Sequence, residues 1–172
     1  MINNILSSYK YAPLMMAIMA ASALGIALIS QYWGGLEPCI LCLYQRWPFG
    51  IVIALGLIGF LSSFKCTKGS VVMMGMIGMT FLVNTGLAIY HTGVEQKWWR
   101  SHFEGCAVPK MEGNMEDVLA AIQSRTKAAR CDEVAWSDPV LGLSMANYNI
   151  MFCFGLAVLA FYSANLIRFR TP

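Results

Sequence analysis

The sequence predicts an all-α membrane protein, a bundle of four antiparallel transmembrane helices with one long loop that contains a short amphipathic helix at the membrane interface. Hydrophobic residues make up 58% of the 172 residues and charged residues only 12%, and the mean hydropathy is +0.58. A soluble domain of this length cannot bury so much apolar surface. We therefore expect a single integral membrane domain over residues 1–172.

Four stretches without Asp, Glu, Lys or Arg define the helices, because each is long enough to cross the bilayer, which takes about 20 apolar residues. These stretches are Tyr11 to Leu36, Trp47 to Phe64, Gly69 to Val94 and Pro139 to Ile167. The motif ASA at Ala21–Ala23 is typical of a signal-peptide cleavage site, but the apolar run around it is longer than a signal peptide's. We expect retained helices at about 12–32, 42–64, 70–90 and 146–167, with loops at 33–41 and 91–145.

The first three helices are joined by short links, which favours antiparallel packing of neighbours. Small residues recur every fourth position on the first helix, at Ala17, Ala21 and Gly25, and indicate a face that permits close approach. In the long loop, Met115, Val118, Leu119 and Ile122 fall at helical spacing behind Asn114, a candidate N-cap. This segment predicts a short helix lying on the membrane surface.

The charges divide between the two ends of the predicted bundle. Lys10, Lys65, Lys68, Arg168 and Arg170 flank one end in short segments without acids, and all nine acidic residues fall at the other end. The positive-inside rule then predicts that both termini are cytoplasmic. The basic residues of the long loop are interspersed with acids, which indicates a solvated surface and not a nucleic-acid interface.

Four cysteines share one side of the membrane, whatever its orientation, because an even number of crossings separates their loops. They are Cys39, Cys42, Cys106 and Cys131, whereas Cys66 lies on the opposite side and Cys153 lies within the fourth helix. The charge pattern places the shared side in an oxidising compartment, where disulfides persist. Cys66 and Cys153 are interpreted as small buried or incidental thiols.

The C-x-x-C spacing of Cys39 and Cys42 at a helix start is typical of redox pairs, since it brings the sulfurs within bonding reach at the positive end of the helix dipole. Arg46 lies one turn below Cys42 and can stabilise a thiolate or hold an anionic ligand. The alternative is an arginine whose charge reaches the membrane surface. His91 ends the third helix at the same level, either as part of an acceptor site with Arg46 or as an interfacial histidine.

Cys106 and Cys131 can form a structural disulfide or a second redox pair that exchanges with the first. A zinc site formed by all four cysteines is the other alternative, although only one pair has metal-ligand spacing. The sequence has no dinucleotide fingerprint, haem motif or iron–sulfur spacing. A lipophilic quinone between the helices is therefore the electron acceptor that fits best.

Several motifs together resemble the DsbB family of bacterial disulfide bond formation proteins. They are PCILCLYQR at Pro38–Arg46, YHTGVEQ at Tyr90–Gln96, the four-helix pattern and the cysteine pair of the long loop. The resemblance covers nearly the whole chain, and the combination is specific although C-x-x-C alone is not. A vitamin K epoxide reductase-like enzyme is close in chemistry, but the cysteine order and the surroundings of Arg46 match the DsbB family better.

The resemblance implies a bacterial inner-membrane oxidoreductase with periplasmic loops, which reoxidises DsbA, a thioredoxin-fold oxidant, and reduces ubiquinone or menaquinone. It implies that Cys106 forms the mixed disulfide with the partner, that Cys131 exchanges with Cys39, and that the Cys42 thiolate reacts with the quinone. Arg46 would support the quinone site and His91 would lie near the quinone ring. Gln45 replaces an acid common in the family, which leaves the identity of the DsbA-like partner open.

Two other classes remain beside the quinone-coupled oxidase. One is a zinc-binding membrane protein, and the other is a noncatalytic membrane protein with a structural disulfide.

Overall fold

The computed structural model describes residues 5–61, 67–103, 106 and 130–170, and these residues form four long helices. Each helix is long and apolar enough to cross a membrane. Within the described residues there is no β-strand, only an isolated bridge between Ser137 and Ser144. The predicted four-helix membrane fold is confirmed. The helices are α1 (Tyr11–Tyr32), α2 (Ile40–Leu61), α3 (Thr67–Glu95) and α4 (Met145–Arg170).

Neighbouring helices are antiparallel, since contacts join the end of one helix to the start of the next. α3 packs most extensively against α4, α1 packs against α2, and α2 packs against α3. The contacts that define these directions are Pro13 to Gly56 and Gln31 to Arg46 between α1 and α2, Gln45 to His91 and Phe49 to Phe81 between α2 and α3, and Gly78 to Phe161 and Asn84 to Cys153 between α3 and α4.

The observed helix limits differ from the predicted ones at the end that carries the cysteines. α2 begins at Ile40 instead of near residue 42, and α3 continues past Tyr90 to Glu95. Two residues beyond the end of α3, Lys97 has a φ of 60°, and the N–H groups of Lys97 and Trp98 donate to the carbonyls of Val94 and Gly93, which terminates the helix. His91 therefore lies on the helix and not in the loop. The predicted interfacial helix and Cys66 lie outside the described residues.

The core of the bundle is apolar and closely packed around the middle of the four helices. Phe49 contacts both Phe81 and Phe152, which joins α2 to α3 and α4. The burial of these side chains leaves the opposite faces of the helices for lipid. Fully buried members of the core include Ala12, Met16, Ala20, Val52, Met74, Ile77, Phe81, Cys153, Ala157 and Ala160.

α1 and α2 approach each other closely where Gly56 of α2 faces Pro13 and Ala17 of α1. A Cβ atom at Gly56 would lie 2.5 Å from the Pro13 carbonyl oxygen and 2.6 Å from the Ala17 Cβ. Ala17 is thus the member of the predicted small-residue stripe that permits close approach. Ala21 is exposed, and a Cβ at Gly25 would have nothing within 4 Å.

Replacing Gly56 with alanine is expected to destabilise the bundle, because the added methyl group overlaps backbone atoms that cannot move independently. We expect a loss of about 1–3 kcal/mol in the free energy of unfolding. The matched control is Gly75→Ala on α3, where a Cβ would have nothing within 4 Å. That change should be neutral or mildly stabilising. Thermal unfolding in detergent, followed by circular dichroism, measures both, and equal effects would contradict the proposed close contact.

Aromatic residues fold the chain after α3 back over the end of the bundle. The Tyr90 and Trp99 rings stack at 6.0 Å, and the Trp99 indole N–H donates to the Tyr90 carbonyl. The Tyr90 hydroxyl accepts a hydrogen bond from the His102 N–H, and Phe103 contacts both Tyr90 and Tyr44. These contacts bring the following Cys106 close to the start of α2.

Candidate functional site

The two cysteine pairs lie together in one buried cluster at the end of the bundle. Cys39, Cys106 and Cys131 are nearly fully buried and pack with Leu41 and Val94, and Cys42 packs against the same cluster. Cys106 and Cys131 form a disulfide, whereas Cys39 and Cys42 are free thiols. The aromatic contacts of the loop thus place a disulfide beside a dithiol. With two of the four cysteines joined, the zinc site that uses all four sulfurs is not formed in this structure.

Cys39 occupies the position before the first turn of α2. Its carbonyl accepts from the Leu43 N–H, and its Sγ lies 3.2 Å from the N–H of Cys42, which donates to it. The Cys39 and Cys42 sulfurs are 2.9 Å apart, with the Cys39 S–H donating to Cys42. This hydrogen bond and burial raise the pKa of the Cys39 thiol well above its usual range. Cys39 therefore keeps its proton, and a negative charge on the reduced pair resides on Cys42.

Alkylation of the reduced pair is expected to modify Cys42 before Cys39. The thiolate is the nucleophile, and each unit by which the pKa of Cys39 is raised lowers its thiolate fraction about tenfold. We expect Cys42 to react at least about tenfold faster at neutral pH. Brief treatment of the reduced protein with iodoacetamide, followed by mass spectrometry of the peptides, measures the ratio. Equal labelling, or faster labelling of Cys39, would contradict the assigned proton position.

His91 contacts the redox pair directly. Its Nε2 lies 3.4 Å from the Cys39 sulfur, and its Nδ1 lies 3.0 Å from the side-chain nitrogen of Gln45. The Gln45 carbonyl oxygen accepts from the Asn149 side chain at 2.8 Å, which leaves the Gln45 nitrogen to donate to Nδ1. The proton of the neutral imidazole is then on Nε2, facing Cys39 and, at 3.7 Å, the Glu95 carboxylate.

A chain of buried and partly buried polar groups extends from His91 toward the middle of the bundle. Beyond Gln45, the Asn149 side-chain oxygen accepts from the Cys153 thiol at 3.1 Å, and the Cys153 sulfur accepts from Asn84 at 3.3 Å. Buried polar groups are normally hydrogen-bonded in this way. Cys153, interpreted from the sequence as a small buried or incidental thiol, is fully buried and is a member of this network.

A cavity of about 720 Å3 opens beside the redox pair. Arg46 lies in its wall and donates to the Gln31 side-chain oxygen at 2.7 Å, and Glu95 accepts from the Ser144 hydroxyl at 2.6 Å. The wall near the cysteines is polar and includes Cys39, Cys42, Gln45, Arg46, His91 and Glu95. The rest is largely apolar and includes Ala23, Ile26, Ala27, Phe49, Trp136 and Phe152.

The predicted site residues therefore occupy one region. Cys39, Cys42, Arg46 and His91 line the cavity, and Cys106 and Cys131 pack against Cys39 in the buried cluster. Sequence reasoning assigned no role to Glu95 or Asn149 and noted Gln45 only as a departure from the family pattern. These three residues could have been found in the sequence as polar residues of otherwise apolar helices, because such residues are candidate site residues in membrane proteins.

Comparison with known proteins gives one consistent result. A family model described as "Disulfide bond formation protein DsbB" matches residues 9–163. "Disulfide bond formation protein B 2" of Pseudomonas savastanoi pv. phaseolicola is 26% identical over 153 residues, which cover 85% of this chain and 82% of that protein. "Disulfide bond formation protein B" of Xanthomonas axonopodis pv. citri is 26% identical over 166 residues, with 94% and 93% covered. No solved structure gave a significant match.

Proposed function

The chain belongs to the DsbB family of disulfide bond formation proteins, and we propose that it reoxidises a periplasmic DsbA-like thioredoxin-fold protein and passes the electrons to a membrane quinone. The family and the four apolar helices make it a multi-pass membrane oxidoreductase of disulfide formation. The observation that carries the finer proposal is the packing of both cysteine pairs in one cluster, with Cys42 lining an apolar cavity.

The first half of the reaction is thiol–disulfide exchange. A thiolate of the reduced partner attacks Cys106 of the Cys106–Cys131 disulfide, forming a mixed disulfide and releasing Cys131 as a thiolate. The partner's second thiol displaces Cys106, so the partner leaves as a disulfide and two electrons stay on this pair. Cys131 then attacks Cys39 of an oxidised Cys39–Cys42 pair, and Cys106 displaces Cys39 from the resulting mixed disulfide. The Cys106–Cys131 disulfide is restored, and the electrons now reside on the Cys39–Cys42 dithiol.

The cavity beside Cys42 fits a lipophilic quinone. Its apolar wall suits an aromatic head group and the start of an isoprenoid chain, and its polar end offers the Arg46 guanidinium and His91 as hydrogen-bond donors. A bound ubiquinone or menaquinone would supply a two-electron acceptor that also takes up two protons. The Cys39–Cys42 dithiol loses two electrons and two protons on forming its disulfide, so the exchange balances.

The protein groups around the pair have separate roles in this proposal. Arg46 holds a fixed positive charge at the polar end of the cavity, which favours a thiolate at Cys42 and negative charge on a bound acceptor. His91 sits against Cys39, the sulfur that must lose its proton before the disulfide can form. His91 Nε2 already carries a proton, so His91 can take the Cys39 proton only as it passes its own to the Glu95 carboxylate, 3.7 Å from Nε2.

The proposed location is the bacterial inner membrane, with both termini in the cytoplasm and the cysteine loops in the periplasm. The basic segments at residues 10, 65–68 and 168–170, which lack acids, support this orientation. The lipid bilayer is then the source of the quinone, and the periplasm is the source of the protein partner.

The test is a coupled assay with the purified protein, reduced DsbA as the DsbA-like partner and a short-chain ubiquinone. We expect one quinone reduced for each pair of partner thiols lost. Thiol loss without quinone reduction would contradict the acceptor, and no thiol loss would contradict the partner. A double variant, Cys39→Ser with Cys42→Ser, should lose the coupled activity. A noncatalytic protein would show no coupled activity either before or after this change.

A further inference from the structure

Three metal-ligating atoms converge in the reduced site. Cys39 Sγ, Cys42 Sγ and His91 Nε2 all lie within 4.8 Å of one another. We propose that the reduced cysteine pair and His91 bind one Zn2+ ion. This site is distinct from a zinc site built from the four cysteines, because it uses a histidine of α3 and leaves the Cys106–Cys131 disulfide intact.

The spacing of the three atoms is close to what zinc requires. Zinc–sulfur bonds of about 2.3 Å and zinc–nitrogen bonds of about 2.0 Å place tetrahedral ligands roughly 3.5 Å apart for sulfur and nitrogen and roughly 3.8 Å apart for two sulfurs. The Cys39 sulfur lies 3.4 Å from His91 Nε2, so this pair needs no movement. The two sulfurs are 2.9 Å apart, and a small rotation of the partly exposed Cys42 side chain would separate them.

The surroundings supply the other features of a zinc site. When Nε2 binds the ion, Nδ1 carries the imidazole proton, and the Gln45 amide 3.0 Å away can turn its oxygen to accept that proton. The Asn149 amide must turn with it, so that the Asn149 oxygen accepts from the Gln45 nitrogen in place of the present hydrogen bond. Glu95 Oε1, 3.7 Å from Nε2, or a water from the cavity can complete the coordination. A Cys2His ligand set with a fourth position open to a cavity is an established zinc arrangement.

Zinc binding would trap the chain in its reduced state. The ion displaces two thiol protons and moves no electrons, so it binds the dithiol and not the Cys39–Cys42 disulfide. An ion shared by both sulfurs blocks the attack that forms this disulfide. The site itself does not depend on the proposed function, since binding requires only the three ligands in the reduced protein.

The test is a zinc titration of the full chain in detergent, after reduction and anaerobic removal of the reductant, against a chromophoric chelator. We expect one ion per reduced chain and none after the Cys39–Cys42 pair has been oxidised. His91→Ala should weaken binding at least about tenfold. His102→Ala is the matched control, because His102 lies in the exposed loop and contacts Tyr90. Equal zinc affinity in the unchanged protein, His91→Ala and His102→Ala would overturn the proposal.

Two further measurements keep the result independent of folding and of the four-cysteine alternative. The variant Cys106→Ser with Cys131→Ser should still bind one ion, and loss of binding would assign the metal to all four cysteines and overturn the proposal. Co2+ in place of Zn2+ should give tetrahedral visible bands with thiolate charge transfer, and the conservative variant Cys42→Ser should reduce that charge transfer. A chain that oxidises its partner but binds no zinc would refute this site and leave the proposed function standing.

Discussion

Replacing Cys42 with serine is expected to lower quinone-coupled oxidation of the partner by about a thousandfold or more, the scale seen when a covalent catalyst loses its nucleophile. Serine keeps the size and hydrogen-bonding capacity of the side chain but cannot form a disulfide with Cys39. The remaining Cys106–Cys131 disulfide can still oxidise one equivalent of partner. We therefore expect one equivalent of partner thiols to be lost in a single event, with no turnover after it.

The control for this variant is Cys66→Ser, since the sequence places Cys66 on the opposite side of the membrane from the redox pairs. Its rate should equal that of the unchanged protein. Rapid mixing with reduced partner, followed by thiol quantification and quinone absorbance, separates the single event from turnover. Sustained quinone reduction by Cys42→Ser would show that another group donates the electrons.

The fold was predictable because hydropathy records directly which segments can lie in lipid. Four charge-free stretches predicted four helices, and the structure has them. The end of α3 was predicted less well, at Tyr90 instead of Glu95. Hydropathy marks the limit of the hydrocarbon, whereas the helix ends only where Lys97 adopts a positive φ and caps the last carbonyls. The difference matters because it places His91 and Glu95 on one face of a rigid helix.

The site was predictable where its residues follow one another in the chain or where the number of membrane crossings fixes the side on which they lie. The spacing of Cys39 and Cys42 indicated a redox pair, and an even number of crossings placed Cys106 and Cys131 on the same side. The contact of Gln45 with His91 and Asn149 depends on how α2, α3 and α4 pack, and no local pattern encodes that packing. The small-residue stripe of α1 could not be interpreted further from the sequence for the same reason. Which of its members makes the close contact depends on how α2 packs against it.

Replacing Arg46 with methionine is the second change expected to have a large effect. Methionine keeps much of the side-chain length but removes the positive charge and the hydrogen bond to Gln31. We expect quinone turnover to fall about 10- to 100-fold, which corresponds to loss of one charge-assisted hydrogen bond at the reacting group. The rate of exchange between the partner and the Cys106–Cys131 disulfide should be unchanged, because that disulfide packs in the buried cluster with Cys39, whereas Arg46 lies in the wall of the cavity.

Two steady-state series distinguish these steps, one with varied quinone and one with varied reduced partner. Arg100→Met is the matched control, because Arg100 is exposed in the loop after α3 and should leave both series unchanged. If Arg46→Met slows partner exchange as much as quinone reduction, the arginine stabilises the cysteine region in general and has no specific role at the acceptor.

Arg46→Lys separates the two contributions of the guanidinium. Lysine restores a positive charge, but as a compact ammonium group without the planar, forked donor geometry of arginine. Full recovery of quinone turnover in Arg46→Lys would assign the effect to charge alone, acting on the Cys42 thiolate and the acceptor. We expect partial recovery, because the guanidinium has several N–H donors, of which one binds Gln31 while others can reach a ligand in the cavity that Arg46 lines. A single ammonium group on a flexible side chain cannot keep the hydrogen bond to Gln31 and donate into the cavity in fixed geometry at the same time.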